Sequence, residues 1–257
     1  MQTRFSTAKK RLILISGLVF FSASAFSDTL TVQATSNIYS AGHSVLPATI
    51  YPGNFSPSSV FSAGANQVLT FSNVTGSIGC NFVITNGPDG TCYPGVNTTV
   101  TSYGGLSGIS ADNKNMFLVG VFLDSTEPSG AGPAILSYDF GSPGGLNTSD
   151  LSFSPELNQV FFIGDGLTGT GSGLMQDFLV PSSASRLYLG FADSFDSVPS
   201  YYADDVGSLT ATFSITSTAA VPESSSVLLV TGGLLVGVSC FRRRIRKSLK
   251  AAKDSSN

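Results

Sequence analysis

The chain has 257 residues, of which 42% are hydrophobic, with one histidine, no tryptophan and a formal net charge of −3. Its cations gather at the two ends, so residues 26–219 hold only Lys114 and Arg186 against 14 acidic residues, a formal charge of −12. Such an acidic domain disfavours nucleic acid and anionic membrane surfaces as partners, because phosphate binding needs Lys and Arg. It favours hard cations.

The first 25 residues have the three parts of a secretory signal peptide. A basic run at residues 9–11 precedes an apolar stretch at residues 12–21, and the small residues Ala23-Ser24-Ala25 supply a cleavage site. This pattern predicts export through the Sec machinery, with an N-terminal signal helix over residues 1–25 that is removed.

Residues 26–219 predict one all-β domain, large enough to bury a substantial core. Short apolar runs bounded by Gly, Pro, Asn and Asp recur, which is typical of a sandwich or barrel. We expect an antiparallel β-sandwich of jelly-roll or galactose-binding-like form. Ser208–Ile215 alternates between apolar and polar residues, whereas Met116–Leu123 is continuously apolar, as for a central strand covered on both faces. The predicted strands are Leu30–Ala34, Gln67–Val74, Met116–Leu123, Ala134–Tyr138, Gln159–Ile163, Gln176–Val180, Arg186–Phe191 and Ser208–Ile215.

Two cysteines of this domain, Cys80 and Cys92, flank a turn-rich loop that contains Gly87-Pro88-Asp89-Gly90. Their spacing does not fit a paired CxxC metal site, and no histidine is nearby in the sequence. In an exported protein such a pair favours a disulfide. We therefore predict a Cys80–Cys92 disulfide that closes a hairpin-like loop.

The sequence carries no signature of a catalytic nucleophile or base. A single histidine, His43, excludes a His-based zinc cluster and has no Gly-x-Ser-x-Gly elbow to complete a triad. The glycine-rich run at residues 164–173 lacks the ending of a phosphate-binding loop, so we interpret it as a connection between strands. Paired carboxylates for glycoside hydrolysis stay open, because that mechanism depends on their separation. We expect a protein that is not an enzyme, with a secreted hydrolase as the least favoured alternative.

The loop from Ala192 to Gly207 concentrates acidic residues without a cation to balance them. It contains Asp193, Asp196, Asp204 and Asp205. Calcium takes roughly six to eight oxygen ligands and mixes carboxylates with carbonyls from a bent loop. The alternatives are a solvated acidic loop and a calcium site.

The segment from Gln176 to Ile215, with ADSFDSVPSYYADDVGS at residues 192–208, resembles the C-terminal part of LecA-like, calcium-dependent galactophilic lectins. Residues 37–43, 68–74 and 115–123 resemble other pieces of these small β-sandwiches, whereas the stretch from Glu127 to Leu174 has no counterpart. The resemblance implies one calcium ion that coordinates two sugar hydroxyls. The ligands that it implies are the Tyr39 carbonyl, Asp193, a carbonyl within Val198–Tyr201, Asp204 and Asp205.

Residues 220–250 form a tail in three parts. The signature Val221, Pro222 and Glu223 comes first, a predicted transmembrane helix at residues 226–241 follows, and a basic cluster begins at Arg242. The apolar run is short for a membrane span, but flanking serines and outward-reaching arginines allow it to cross, with the arginines on the cytoplasmic side. This order resembles the PEP-CTERM sorting tail of Gram-negative, exopolysaccharide-producing bacteria, with Ser224 where the family has proline. The resemblance implies processing by an exosortase near the signature.

Together these features predict an exported protein that passes through an inner-membrane intermediate and then reaches the cell surface or extracellular matrix. The expected activity is calcium-dependent carbohydrate binding, with exopolysaccharide or other glycans as partners and no nucleic acid. The alternative is a structural protein of the exopolysaccharide or biofilm matrix, in which calcium is only a structural clamp or is not bound.

Overall fold

The computed structural model describes residues 25–46, 53–84, 86–138 and 146–217. The predicted signal helix and sorting tail fall on residues 1–24 and 218–257 and so lie outside the described residues, apart from Ala25. Ala25, the last residue of the predicted signal peptide, is the first residue of a strand. Among the described residues, no helix is long and apolar enough to cross a membrane.

The described part of the chain is almost entirely β-structure, which confirms the predicted all-β class. Its helical segments are two short 3-10 turns, Ile38–Ser40 and Tyr202–Asp204. The strands are β1 (Ala25–Gln33), β2 (Ser36–Asn37), β3 (Asn54–Phe55), β4 (Ser58–Val60), β5 (Gln67–Gly79), β6 (Thr98–Val100), β7 (Ile109–Ala111), β8 (Leu118–Leu123), β9 (Leu136–Tyr138), β10 (Ser152–Phe153), β11 (Val160–Phe162), β12 (Leu167–Gly169), β13 (Ser172–Met175), β14 (Asp177–Val180), β15 (Arg186–Phe191), β16 (Ser194–Phe195), β17 (Val198–Pro199) and β18 (Val206–Ser217).

The first large sheet has five strands in the order β1-β18-β5-β14-β10. Its longest ladder joins β18 to β5, from Val206 opposite Gly79 to Ser217 opposite Gln67, with a bulge after Thr212. The alternation predicted for Ser208–Ile215 is confirmed, because Leu209, Ala211, Phe213 and Ile215 are buried and the intervening Thr and Ser residues are half-exposed. One face of this strand therefore packs on the core and the other meets solvent.

The second large sheet has six strands, and β8 lies near its centre between β11 and β15. Every residue of β8 is buried, which confirms the prediction of a central strand covered on both faces. The long ladders of both sheets are antiparallel, as predicted. Short parallel pairs at the margins, such as β15 with β2 and β10 with β14, depart from a purely antiparallel arrangement. Strands this short carry too little periodicity for their direction to be predicted.

Phenylalanine rings connect the two large sheets. Phe178 of the first sheet contacts Phe161 of the second, with ring centroids 5.4 Å apart. Phe161 stacks on Phe122 at 5.1 Å, and Phe178 stacks on Phe153 at 5.4 Å. These rings form part of one buried hydrophobic cluster, so the chain gains its stability from apolar burial between sheets.

The segments interpreted as loops contain further short strands. The glycine-rich run includes β12 and the start of β13, which pair as a hairpin. The acidic segment from Ala192 to Gly207 contains the hairpin β16–β17 and a 3-10 turn before β18 begins. Strands of two to four residues leave too little alternation in the sequence to be predicted.

Replacing Ser197 by glycine is expected to stabilise the fold. Asp196 and Ser197 connect β16 to β17 with φ values of 49° and 65°, a two-residue turn of the type that needs positive φ at both positions. Glycine relieves the left-handed strain at this position but has more freedom in the unfolded chain. We expect Ser197→Gly to raise the free energy of unfolding by about 0.5 kcal/mol in urea titrations.

The matched control is Ser149→Gly. Ser149 is also a turn serine, but it is not among the residues with positive φ. Glycine there adds only unfolded-state freedom, so the free energy of unfolding should fall. Equal shifts of both variants in the same direction would contradict the assignment of the turn.

Candidate metal centre

Three aspartates from the two large sheets meet at one point. Asp193 lies two residues beyond the end of β15, whereas Asp204 and Asp205 directly precede β18. One carboxylate oxygen from each lies within 4.8 Å of the other two. The structure therefore brings together the three carboxylates that the sequence analysis selected as ligands.

Backbone hydrogen bonds hold the loop that carries these carboxylates. The N–H of Ser200 donates to the Asp193 carbonyl at 3.2 Å, and the N–H of Asp204 donates to the Tyr201 carbonyl at 3.2 Å. Tyr201 adopts a left-handed conformation, with φ of 67°, which reverses the chain before the 3-10 turn. Such a conformation in a bulky residue persists only where the surroundings enforce it.

The buried Tyr202 side chain ties this loop to the end of β15. Its hydroxyl donates to the Phe191 carbonyl at 3.1 Å and accepts the N–H of Asp193 at 3.2 Å. The backbone of Asp193 is therefore held at its N–H by Tyr202 and at its carbonyl by Ser200. These hydrogen bonds fix the backbone from which the first carboxylate extends.

Asp205 is the most unusual member of the cluster. Its side chain is only 4% exposed, and neither carboxylate oxygen has a hydrogen-bond partner among the described residues. One oxygen of Asp204 is also buried without a partner. A buried ionised group is strongly destabilising unless it is paired or coordinates a metal.

No described cation compensates these charges. Lys114 donates to the carbonyl of Asp89, at 3.3 Å. Arg186 donates to the carbonyls of Asp124 and Thr126, each at 2.6 Å. These are the only Lys and Arg residues within the described ranges, so the countercharge must come from protons or from a bound ion.

Two carboxyl groups of the cluster have raised pKa values. Burial, together with the charges of Asp193 and Asp204, raises the pKa of Asp205 to about 9. Burial likewise raises the pKa of Asp193 to about 7, against a hydrogen bond from the Ser194 N–H that lowers it. Without a metal, the cluster therefore holds protons near neutral pH, and a divalent cation would displace them.

The two carbonyl ligands that the lectin resemblance implies stay predictions. Tyr39 lies in the first 3-10 turn, with its ring fully buried. Burial first, and then the charge of Tyr39, raise the pKa of Tyr202. Its carbonyl lies near Gly104, where a Cβ atom would be 3.7 Å from the oxygen. Within Val198–Tyr201, the carbonyls of Val198 and Tyr201 accept hydrogen bonds from Ser200 and Asp204. No described contact joins these carbonyls to the three carboxylates.

The loop between Cys80 and Cys92 borders the metal centre, which the sequence analysis did not anticipate. The two cysteines form a disulfide in the structure, with Cα atoms 6.2 Å apart. The N–H of Phe82 donates to the Asp204 carbonyl at 2.8 Å. This contact follows from the β18–β5 ladder, because the pairing of Val206 with Gly79 places Cys80 beside the acidic pair.

A cleft of about 430 Å³ opens beside the carboxylates. Asp193, Ser194, Tyr201 and Asp204 contribute to its lining, and the remaining lining residues come from segments 80–98 and 115–116. The cluster is therefore accessible to a ligand larger than an ion.

His43 takes no part in this centre. Its Nε2 lies 2.8 Å from the Gly104 carbonyl, and its Nδ1 lies 3.2 Å from a carboxylate oxygen of Glu127. The histidine thus connects two loops. Its hydrogen bond to Glu127 lowers the pKa of that carboxyl.

The donor set of the centre fits a hard cation. The cluster offers carboxylate oxygens only, and no histidine or cysteine joins it among the described residues. Oxygen donors suit Ca²⁺, whereas zinc sites draw mainly on nitrogen and sulfur. No protein-family model, curated protein or solved structure matches the chain. The chemistry of the centre is therefore inferred from its own residues and surroundings.

Proposed function

We propose that the protein is an exported, calcium-dependent carbohydrate-binding protein in which Asp193, Asp204 and Asp205 hold the ion. The observation that carries this proposal is the buried Asp205 carboxylate, which has neither a hydrogen-bond partner nor a countercharge among the described residues. It lies within ligand distance of two further carboxylates. Ca²⁺ would neutralise this cluster through oxygen atoms, which are the ligands it prefers.

The cleft beside the ion supports a ligand-binding role. Three side chains leave coordination positions of Ca²⁺ to be filled by carbonyls, water or ligand oxygens. The cleft lining includes the asparagines Asn81 and Asn97 and the aromatic Tyr93. Amides that bond hydroxyl groups, together with an aromatic face, suit a sugar. The resemblance of residues 176–215 to galactophilic lectins is consistent with a sugar ligand, as is the expected galactose-binding-like sandwich.

The termini support an extracellular location. The signal-peptide pattern of residues 1–25 and the tail with Val221, Pro222 and Glu223 together favour Sec-dependent export and exosortase processing. After an inner-membrane intermediate, the acidic domain would reach the surface or exopolysaccharide matrix of a Gram-negative bacterium. There, glycans are abundant partners.

A structural role of the ion is the second candidate. Asp193 extends from the second sheet, whereas Asp204 and Asp205 precede a strand of the first sheet. An ion held by all three would therefore clamp the sheets together. In this alternative the protein is a non-catalytic component of the biofilm matrix, and calcium contributes stability alone.

A glycan array probed with and without chelator separates the two candidates. We expect the full-length chain to bind sugars in millimolar calcium and to lose that binding in chelator. The double variant Asp204→Asn, Asp205→Asn should bind none, because the carboxylates that hold the ion are gone. The matched control is Asp196→Asn, which removes an exposed carboxylate of the same loop outside the cluster and should behave as the wild type. A blank array for a wild-type chain that binds calcium would favour the structural role.

A further inference from the structure

We propose that Tyr93 forms an aromatic subsite next to the metal centre, so that the ligand is a neutral oligosaccharide rather than a single sugar. This inference rests on the proposed carbohydrate-binding function and names its substrate class. The subsite lies in the same cleft as Asp193 and Asp204, and Tyr93 enters it directly after the disulfide-closed loop.

The backbone that presents Tyr93 is a defined turn. Tyr93-Pro94-Gly95-Val96 closes with a hydrogen bond from the Val96 N–H to the Tyr93 carbonyl at 3.2 Å. Gly95 has φ of 78° at the third position of the turn, and Pro94 occupies the second. This is the residue pattern of a type II turn, in which proline restricts one position and glycine supplies the positive φ of the next.

Asn115 clamps this turn from below the surface. Its Nδ2 donates to the Tyr93 and Val96 carbonyls at 2.8 and 3.0 Å, and its Oδ1 accepts the Tyr93 N–H at 2.8 Å. Its own carbonyl accepts the Thr91 N–H at 2.9 Å. Asn115 is only 8% exposed and holds the N–H and the carbonyl of Tyr93 through partly buried hydrogen bonds.

The Tyr93 side chain itself remains 49% exposed on this rigid support. A tyrosine whose backbone is fixed loses little further freedom when a ligand lies against it, so its contact contributes efficiently to affinity. Aromatic faces pack on the apolar C–H faces of sugar rings, and the tyrosine hydroxyl can bond a sugar hydroxyl.

The size and charge of the cleft identify the ligand class. Its volume of about 430 Å³ falls in the range of pockets that enclose drug-sized ligands, and exceeds the need of a single hexose. Among the described residues that line it, none is Lys or Arg. A sugar acid would find no cationic partner there other than the ion, so the cleft favours neutral sugars.

The test uses the full-length chain in millimolar calcium, with neutral mono- to tetrasaccharides of galactose, glucose and mannose and matched galacturonate oligomers. We expect the wild type to bind a neutral oligosaccharide about tenfold more tightly than its monosaccharide, and Tyr93→Ala to lose this gain. Tyr93→Phe should keep it, because the ring remains. The matched control is Phe55→Ala, which removes a ring that is 48% exposed and lies outside the cleft. Calcium affinity, measured by titration, should be equal in all four proteins.

Four outcomes would contradict this proposal in whole or in part. Affinity that does not depend on chain length, or that Tyr93→Ala leaves unchanged, would remove the subsite while leaving calcium-dependent sugar binding intact. Preference for the galacturonate oligomers would contradict the neutral ligand class. A wild type that binds calcium but no sugar of any length would overturn the carbohydrate-binding function and the subsite together.

Discussion

In the presence of chelator, the stability of the protein is expected to fall as the pH rises from about 5 to about 8. In the native state the pKa of Asp205 is raised to about 9 and that of Asp193 to about 7, whereas an aspartate of the unfolded chain titrates near 3.9. Over this pH window the native state keeps a proton on Asp205 that the unfolded chain has lost. Folding then takes up protons, and stability decreases with increasing pH.

The expected size of this effect is large for a single group. One proton taken up on folding changes the free energy of unfolding by about 1.36 kcal/mol per pH unit, so Asp205 alone accounts for up to about 4 kcal/mol across the window. Urea titrations in chelator at several pH values measure this slope. Because Ca²⁺ binds the ionised carboxylates, added calcium should stabilise the protein far more at pH 8 than at pH 5.

Asp205→Asn tests the origin of the slope. The amide has nearly the same shape but carries no titrating proton, so this variant should lose most of the decline and most of the calcium-dependent stabilisation. Asp196→Asn, which changes an exposed carboxylate of the same loop, should keep both. A wild-type stability in chelator that stays level or rises from pH 5 to pH 8 would contradict the protonated cluster.

Removing the Cys80–Cys92 disulfide is expected to lower the free energy of unfolding by about 3 kcal/mol. The bond closes a loop between cysteines separated by 12 positions, and opening it restores conformational freedom to the unfolded chain. The double variant Cys80→Ala, Cys92→Ala should show this loss in urea titrations. Cys240→Ala, which removes the third cysteine and keeps the bond, is the matched control.

The same variant should also weaken calcium binding. The loop donates the Phe82 N–H to the Asp204 carbonyl, so a loosened loop gives up one of the bonds that position the acidic pair. Calcium titration at a temperature where both proteins are folded measures this second effect. A lower stability with unchanged calcium affinity would show that the disulfide loop stabilises the fold without supporting the metal centre.

The strands that were predicted well are those with a clear local pattern. Alternation made β18 recognisable, and the continuous apolar run did the same for β8. The hairpin β16–β17 and the parallel pairs at the sheet margins escaped prediction, because strands of two residues have no periodicity and their partners lie elsewhere in the chain.

The candidate site likewise has features that were visible in the sequence and features that were not. The density of aspartates between residues 192 and 207, with no cation beside them, was visible in the sequence and left a calcium site and a solvated acidic loop as alternatives. The burial of Asp205 was not visible, because it depends on how β15 and β18, which lie in different sheets, are placed. The ring of Tyr93 was also missed, since the turn around it carries no signal that relates it to Asp204.

Local composition and periodicity therefore suffice for the all-β class, the main strands and the acidic character of this protein, because each of these depends on neighbouring residues. Only the tertiary structure shows that Asp205 is buried without a partner and that the disulfide loop borders the same cleft. The position of the disulfide loop depends on the β18–β5 ladder, which pairs Val206 with Gly79 and so joins segments that are distant in the chain. Long-range pairing of this kind leaves no local trace in the sequence.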